Sequence, residues 1–289
     1  MANSIQLSKV YTNLLDEVYQ QSALTAVLES DASLARQGAN ANEIVIPKLA
    51  MDGLADYSRN SGYVNGDVTL NWETVQFNYE RGRMFSVDNM DNEETQNIAF
   101  GRLAGEFIRT KVVPELDAFR FAKYASVVGA GTATGALATG ADVIAALRTA
   151  TSAMDEAEVP MEDRHLFITP TLMGLVEDMD TTKSKEVLAR FASITKVPQT
   201  RFYSAIELLD GKSSGEEKGG YKKADGGVEL NFEIIHKPAT LQFTKHAVPK
   251  VISPELNQDA DAWKYGYRNY GLCDTYENKA AGIYVHKKA

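Results

Sequence analysis

A chain of 289 residues with 44% hydrophobic and 24% charged side chains has the composition of a folded protein, enough for one large domain or two modest ones, which excludes general disorder. Its formal net charge of −9, with Lys and Arg dispersed, argues against a dedicated nucleic-acid binder, which needs a concentrated basic surface to neutralise phosphates. Cys273, the single cysteine, excludes an intramolecular disulfide framework and, without a second thiolate, a Cys-based metal site, as befits a reducing compartment. It reads as a small buried or strand residue.

In chain order, Leu7, Val10, Leu14, Val18, Leu24, Val27 and Leu28 recur at spacings of three and four and predict one or two amphipathic helices over 5–28. The N-terminus lacks a basic region followed by an apolar core, so no signal peptide is expected, and no apolar run approaches the ~20 residues that cross a bilayer. A polar linker follows, and then Glu43 to Pro47 predict a short strand closed by its proline. Past a turn-rich tip at 51–66, apolar residues alternate from Val68 to Val87, on even positions up to Trp72 and on odd positions from Val75. That shift of phase predicts one long strand with a bulge near Glu73 and Thr74. At ~3.3 Å per residue the strand would span roughly 65 Å, against a diameter near ~50 Å for a compact chain of this size. It should therefore project as a two-stranded arm, and an isolated hairpin is marginal in water, so the arm needs another subunit to lie on.

Helical spacing from about Asn92 to Ala125 predicts a second long element of roughly 50 Å, kinked or broken at Pro114. A small-residue linker over 127–142 marks a boundary between subdomains. Thr139 or Asp142 then caps a helix through Val143 and Met154. Arg164 to Ile168 predict a buried strand, Thr169 and Pro170 open a helix, and Lys185 to Ala192 predict another. Residues 210–227 read as a flexible exposed insertion. Val228 to Phe243 predict a hairpin, Lys250 to Pro254 a short strand, and Trp263 to Tyr276 a last long strand before Gly282 to Val285.

Chemistry-bearing patterns are sparse. Asp88, Asp91, Glu93 and Glu94 suggest a calcium loop, but the sixth position is Glu93 or Gln96 where an EF-hand needs glycine. A helix start, with Asp91 or Asn92 as cap and the glutamates in the first turn, explains them better. Ser193-Ile-Thr-Lys196 matches the serine acyltransferase spacing without its partner motifs. Gly129-Ala-Gly131 and Asp210-Gly-Lys-Ser213 each miss a required glycine of a nucleotide loop. His165, His236, His246 and His286 are scattered singly on strands and read as structural. No catalytic, cofactor-binding or metal-binding residue is assigned, and no enzyme activity is expected.

The order of elements resembles, over essentially the whole chain, the major capsid protein of tailed bacteriophages, the Hong Kong 97 phage-like fold. YERGRMFSVDNMDNEET at 79–95, RHLFITPTLM at 164–173 and YGLCDTYENKAAGIYV at 270–285 carry the likeness. The resemblance implies an α+β fold with an N-terminal arm at 1–42, an extended β-hairpin loop at 43–86, a peripheral domain with a spine helix at 87–129 and 246–275, and an axial domain at 130–245 and 276–289. The 210–227 loop would lie near the capsomer centre. It implies inter-subunit contacts at Trp72, Phe77 and Phe85 on the arm, and at Asn257, Asp259 and Trp263 around the 255–262 turn, where capsomers meet. Implied partners are further copies in hexamers and pentamers, a separate scaffolding protein, a portal protein and packaged double-stranded DNA held without sequence specificity. No cofactor, membrane partner or isopeptide cross-link is expected. The implied location is the virion capsid, assembled in the host cytoplasm. The same fold as an encapsulin-type compartment shell, and a soluble hydrolase using Ser193 and Lys196, are the alternatives.

Overall fold

A computed structural model describes residues 23–30, 36–37, 43–60, 62–94, 98–179 and 181–289. The expected helices before Ala23 lie outside the described residues; the part inside them is a 3-10 helix at Leu24–Leu28.

Strands β1 (Arg36–Gln37), β2 (Glu43–Met51) and β3 (Val68–Gln76) form an antiparallel three-stranded sheet in the order given. β1 falls in the stretch read as a linker. Pro47 does not close β2, which runs on to Met51 with Pro47 opposite Trp72. Among the described residues β1 pairs only Ile44 and Val45, so Pro47 lies beyond that pairing, on an edge of the sheet as prolines in strands usually do.

Phe77 and Asn78 separate β3 from β4 (Tyr79–Asp88), and here the structure corrects the single bulged strand. β2 and β3 pair one-to-one from Glu43↔Gln76 to Met51↔Val68, with no bulge at Glu73 or Thr74. The strand changes sheet at Asn78 instead. Its side-chain amide imitates a strand's backbone: Nδ2 donates to the Cys273 carbonyl at 2.7 Å, and Oδ1 accepts from the Cys273 amide at 3.1 Å. Beyond it, β4 joins β11 (Thr240–Ile252) and β12 (Ala262–Thr275) in an antiparallel sheet of order β11-β12-β4.

The acid run is a helix start, shifted from the expected cap. Asp88 Oδ1 accepts from the Met90 amide at 2.9 Å, Asp91 sits in the first turn of α1 (Asn89–Glu94), and Asn92 is buried. α2 (Ile98–Phe107) leads into a π-helical turn at Ile108–Val112 and then α3 (Val113–Ala125). Pro114 does not break the helix. It lies in the first turn of α3, and the wide turn just before it, with the Val113 amide reaching back to the Ile108 carbonyl, accommodates a ring that a regular α-helix would reject.

The second half is built on a five-stranded sheet of β5 (Gly131–Thr134), β6 (Arg164–Ile168), β7 (Ser193–Lys196), β10 (Leu230–His236) and β13 (Ile283–Lys287), in the order β5-β13-β10-β6-β7. Around it lie α4 (Gly140–Glu156), α5 (Pro170–Glu177), α6 (Thr182–Leu188) and the small hairpin β8 (Ile206–Leu209) and β9 (Gly220–Lys223). Thr139 and Asp142 cap α4 reciprocally. The helix expected over 185–192 ends at Leu188, and Ser193 already belongs to β7.

Both faces of the large sheet are covered, which is why β6 and β10 are buried at every position. Leu166, Ile168, Phe232 and Ile234 face α4, α5 and α6, whereas Phe167, Ile235 and Val285 face α3, Leu28 and Phe202. The hairpin expected between 228 and 243 does not form. A 3-10 turn at Lys237–Ala239 carries the chain from β10 in the large sheet to β11 in the three-stranded one, and β11 runs unbroken through Pro249 to Ile252.

Candidate functional site

The projecting hairpin carries the largest set of exposed apolar side chains. Val68, Leu70 and Trp72 on one face of β3 are 69%, 53% and 48% exposed, and Met51, Leu54, Tyr57, Tyr63 and Val64 around the tip are exposed as well. At the base the other face is used: Val75 and Phe77 pack with Ile44, Leu241, Phe243 and Leu272. The phase shift seen in the sequence is therefore a change in which face meets apolar neighbours. Near the body Val75 and Phe77 meet the chain's own core, and toward the tip Val68, Leu70 and Trp72 on the opposite face are exposed.

The contact residues expected on this arm divide accordingly. Trp72 stands on the exposed face. Phe77 already stacks on Tyr270 at 4.8 Å between ring centroids, with Lys245 over its ring, and Phe85 meets the edge of Phe107 at 4.8 Å. Both fix the root of the arm within their own chain. In the 255–262 turn, Asn257 donates to the Ala262 carbonyl at 2.8 Å and accepts from the Asp259 amide, which shapes the loop. Asp259 pairs with Lys264, whose hydrogen bond and charge hold its carboxyl below the ordinary range, and Trp263 lies half-buried opposite Val87. Leu256 at the outer end of this turn is exposed.

A buried polar node fixes the N-terminal segment and went unnoticed in the sequence. Asp117 on α3 is fully buried and accepts from the Leu24 amide (3.1 Å), the Thr25 amide (3.2 Å), the Thr25 hydroxyl (2.8 Å) and Arg201 (3.0 Å). Arg120, one turn on, donates to Thr25 and Glu29, and Glu29 accepts from Gln242 and the Thr244 amide. One helix face thus joins residues 24–30, the start of β11 and the segment after β7. Only the oddity of an Asp among the apolar positions of α3 could have signalled it.

Residues expected to be structural have structural partners. Gly131, from the apparent dinucleotide pattern, lies against Tyr284, whose ring would stand 2.4 Å from an added Cβ. Asp210 accepts from the Ser213 hydroxyl and from the amides of Lys212 and Ser213 in a tight turn, and the hydroxyl bond, followed by the two amide bonds, lowers its pKa to about 2. Lys196 Nζ pairs with Glu177 at 2.8 Å, while Ser193 Oγ bonds His165 Nδ1 at 2.7 Å across β6 and β7. The serine and lysine of the acyltransferase pattern are therefore engaged separately. Burial lowers the pKa of His165, His236 and His286, which favours their neutral forms. No group of metal-ligating side chains occurs among the described residues, and no helix there is long and apolar enough to cross a membrane.

Neither a family model nor a curated protein matches the sequence. Among solved structures the chain is similar, over nearly its whole length, to phage proteins. A chain of Mycobacterium phage Che8 is 13% identical with a TM-score of 0.59, covering 99% of this chain and 98% of that one. A chain in the asymmetric unit of the bacteriophage PhiM1 mature capsid is 11% identical with a TM-score of 0.65, covering 98% and 92%. One in the capsid of Myoviridae phage XM1 is 10% identical with a TM-score of 0.59, covering 98% and 97%. At such identities the likeness is one of fold: this chain has the α+β fold of tailed-phage capsid subunits, as the resemblance implied.

Proposed function

We propose that the chain is a major capsid protein, a subunit that assembles as hexamers and pentamers into the icosahedral head of a tailed phage around double-stranded DNA. The observation that carries the reading is the hairpin with exposed apolar side chains at Val68, Leu70 and Trp72, on a chain whose fold matches chains of phage capsid structures over 98% of its length. At ~25 cal/mol per Å², covering a few hundred Å² of that face adds several kcal/mol per contact before ordering costs. Repetition around closed symmetry multiplies the gain.

In this reading residues 1–42 form an arm, 43–86 the extended loop, 87–129 with 246–275 the peripheral domain, and 130–245 with 276–289 the axial domain. Trp72 contacts a neighbouring copy within a capsomer, and Asn257, Asp259 and Trp263 border the contact between capsomers. The role is structural rather than enzymatic. A separate scaffolding protein and a portal protein assist assembly in the host cytoplasm, and the acidic shell grips its DNA weakly. A cargo-holding compartment shell is not favoured, because the similar chains come from phages.

Electron microscopy of the purified chain, alone and with a co-expressed scaffold candidate, tests this. Capsomers, shells or tubes are expected, and their absence under both conditions would overturn the proposal. Val68→Ser combined with Leu70→Ser should abolish assembly while leaving the subunit's thermal transition within about 2 °C, because these side chains are 69% and 53% exposed.

A further inference from the structure

The sequence marks 210–227 as a free insertion, yet the hairpin β8–β9 that frames its first part is held by two arginines about 130 residues upstream. Arg81 and Arg83 lie on β4, the strand that continues the projecting arm past Asn78. Arg81 Nη2 donates to the carbonyls of Leu209 (2.8 Å) and Gly220 (3.2 Å), the last paired residues of the hairpin, while its Nε holds Glu115 of α3 at 2.7 Å. Arg83 reaches further and donates to the Glu217 carbonyl in the loop at 3.0 Å.

The loop is shaped to let that guanidinium pass. Gly211 and Gly219, at φ +72 and +64, face it from two sides, and Arg83 Nη1 lies 3.0 and 3.1 Å from where a Cβ would stand on each. A side chain at either place would crowd the arginine. Behind the hairpin runs an open groove of about 930 Å³, walled by Phe85 and Tyr267 of the three-stranded sheet, Leu103 and Phe107 of α2, and Tyr221 of the hairpin.

We infer that β8–β9 is a strap across this groove, latched to the root of the arm by Arg81 and Arg83, and that releasing the latch opens the groove. Every atom by which the arginines hold the strap is a neutral carbonyl oxygen, whereas the anchor of Arg81 on α3 is a carboxylate. Charge-assisted bonds to carboxylates are stronger than bonds to carbonyls. The strap side therefore gives way first, and Arg83, held among the described residues by the Glu217 carbonyl, is the exchangeable half. Because β4 continues the arm, a shift of the arm is felt at the latch.

Limited trypsin digestion of the free full-length chain reads the latch directly, because Lys212 and Lys218 lie within the loop. When opening is fast, cleavage follows the open population. Losing a hydrogen bond from a charged donor then raises cleavage at these two lysines about tenfold or more in Arg83→Gln. Gly219→Asn, which tolerates positive φ but places a side chain in the path of Arg83, should do the same with the arginine intact. Arg268→Gln, on the outer face of the same sheet and paired with Glu80, should leave cleavage unchanged. Hydrogen exchange over 210–219 gives the same reading without protease and decides the matter if one variant folds poorly. Rates within twofold of the parent in both Arg83→Gln and Gly219→Asn would overturn the inference. The outcome does not depend on whether the chain builds a shell.

Discussion

Removing the carboxylate of Asp117 should loosen the joint on which both halves of the molecule depend. The side chain is fully buried and accepts four hydrogen bonds, three from the Leu24 and Thr25 segment and one from Arg201, which is itself 1% exposed. In Asp117→Ala the two amides lose their acceptor, and a buried guanidinium loses its counter-charge. Breaking a buried pair on one side costs about 3–5 kcal/mol. At ~2–4 °C per kcal/mol for a chain near this size, the thermal midpoint should fall by roughly 6–20 °C. Asp117→Asn keeps the shape and part of the accepting capacity and should fall between parent and alanine. Glu207→Ala, which breaks the exposed pair with Lys222, should cost under ~1 kcal/mol. Calorimetry and urea titration of the three variants make the comparison. An Asp117→Ala variant within ~1 kcal/mol of the parent would refute the view that this node fastens residues 24–30 and the segment around Arg201 to α3.

Three further outcomes follow from other groups in the fold. Glu233, in the middle of the large sheet, is fully buried with neither carboxylate oxygen hydrogen-bonded among the described residues; burial pushes its pKa well up, and the charge of Lys287 pulls it partly back. The fold therefore keeps a proton that the unfolded chain releases at about pH 4.3. Its contribution to stability is full below that pH and is lost as pH rises toward the raised folded value. Glu233→Gln should match the parent near pH 4 and exceed it near pH 8 in urea titrations, and equal stability near pH 8 would contradict this. Asn78→Ala strips both partners from the Cys273 backbone and should cost about 1–2 kcal/mol in the same assay; no change would mean that water replaces the amide. Burial pushes the Cys273 thiol up to about 12, so a disulfide reagent should label it only as fast as the chain unfolds, and rapid labelling of the folded chain would be inconsistent with its place in the core.

The alternation and spacing of apolar residues were enough to place α4, β6, α5 and β12 within a residue or two, because both faces of these elements or one clean stripe are covered by the chain's own core. The Thr139 cap was legible for a similar reason: its bonds are made within four residues. The excess length read over 67–87 assumed one continuous strand, whereas β3 pairs in the hairpin and β4 pairs in the sheet of β11 and β12. The sequence could not say where the long strand changes sheet, since that rests on Asn78 meeting Cys273 across 195 residues. Nor could it say that β10 and β11 part company, that Phe77 and Phe85 find partners in their own chain, or that Arg81 and Arg83 restrain a loop that composition alone marks as free. Local periodicity determined which segments are helix or strand and which face is apolar. Only the tertiary structure decided which apolar faces are covered and which charges are buried together, because those depend on contacts between residues far apart in the chain.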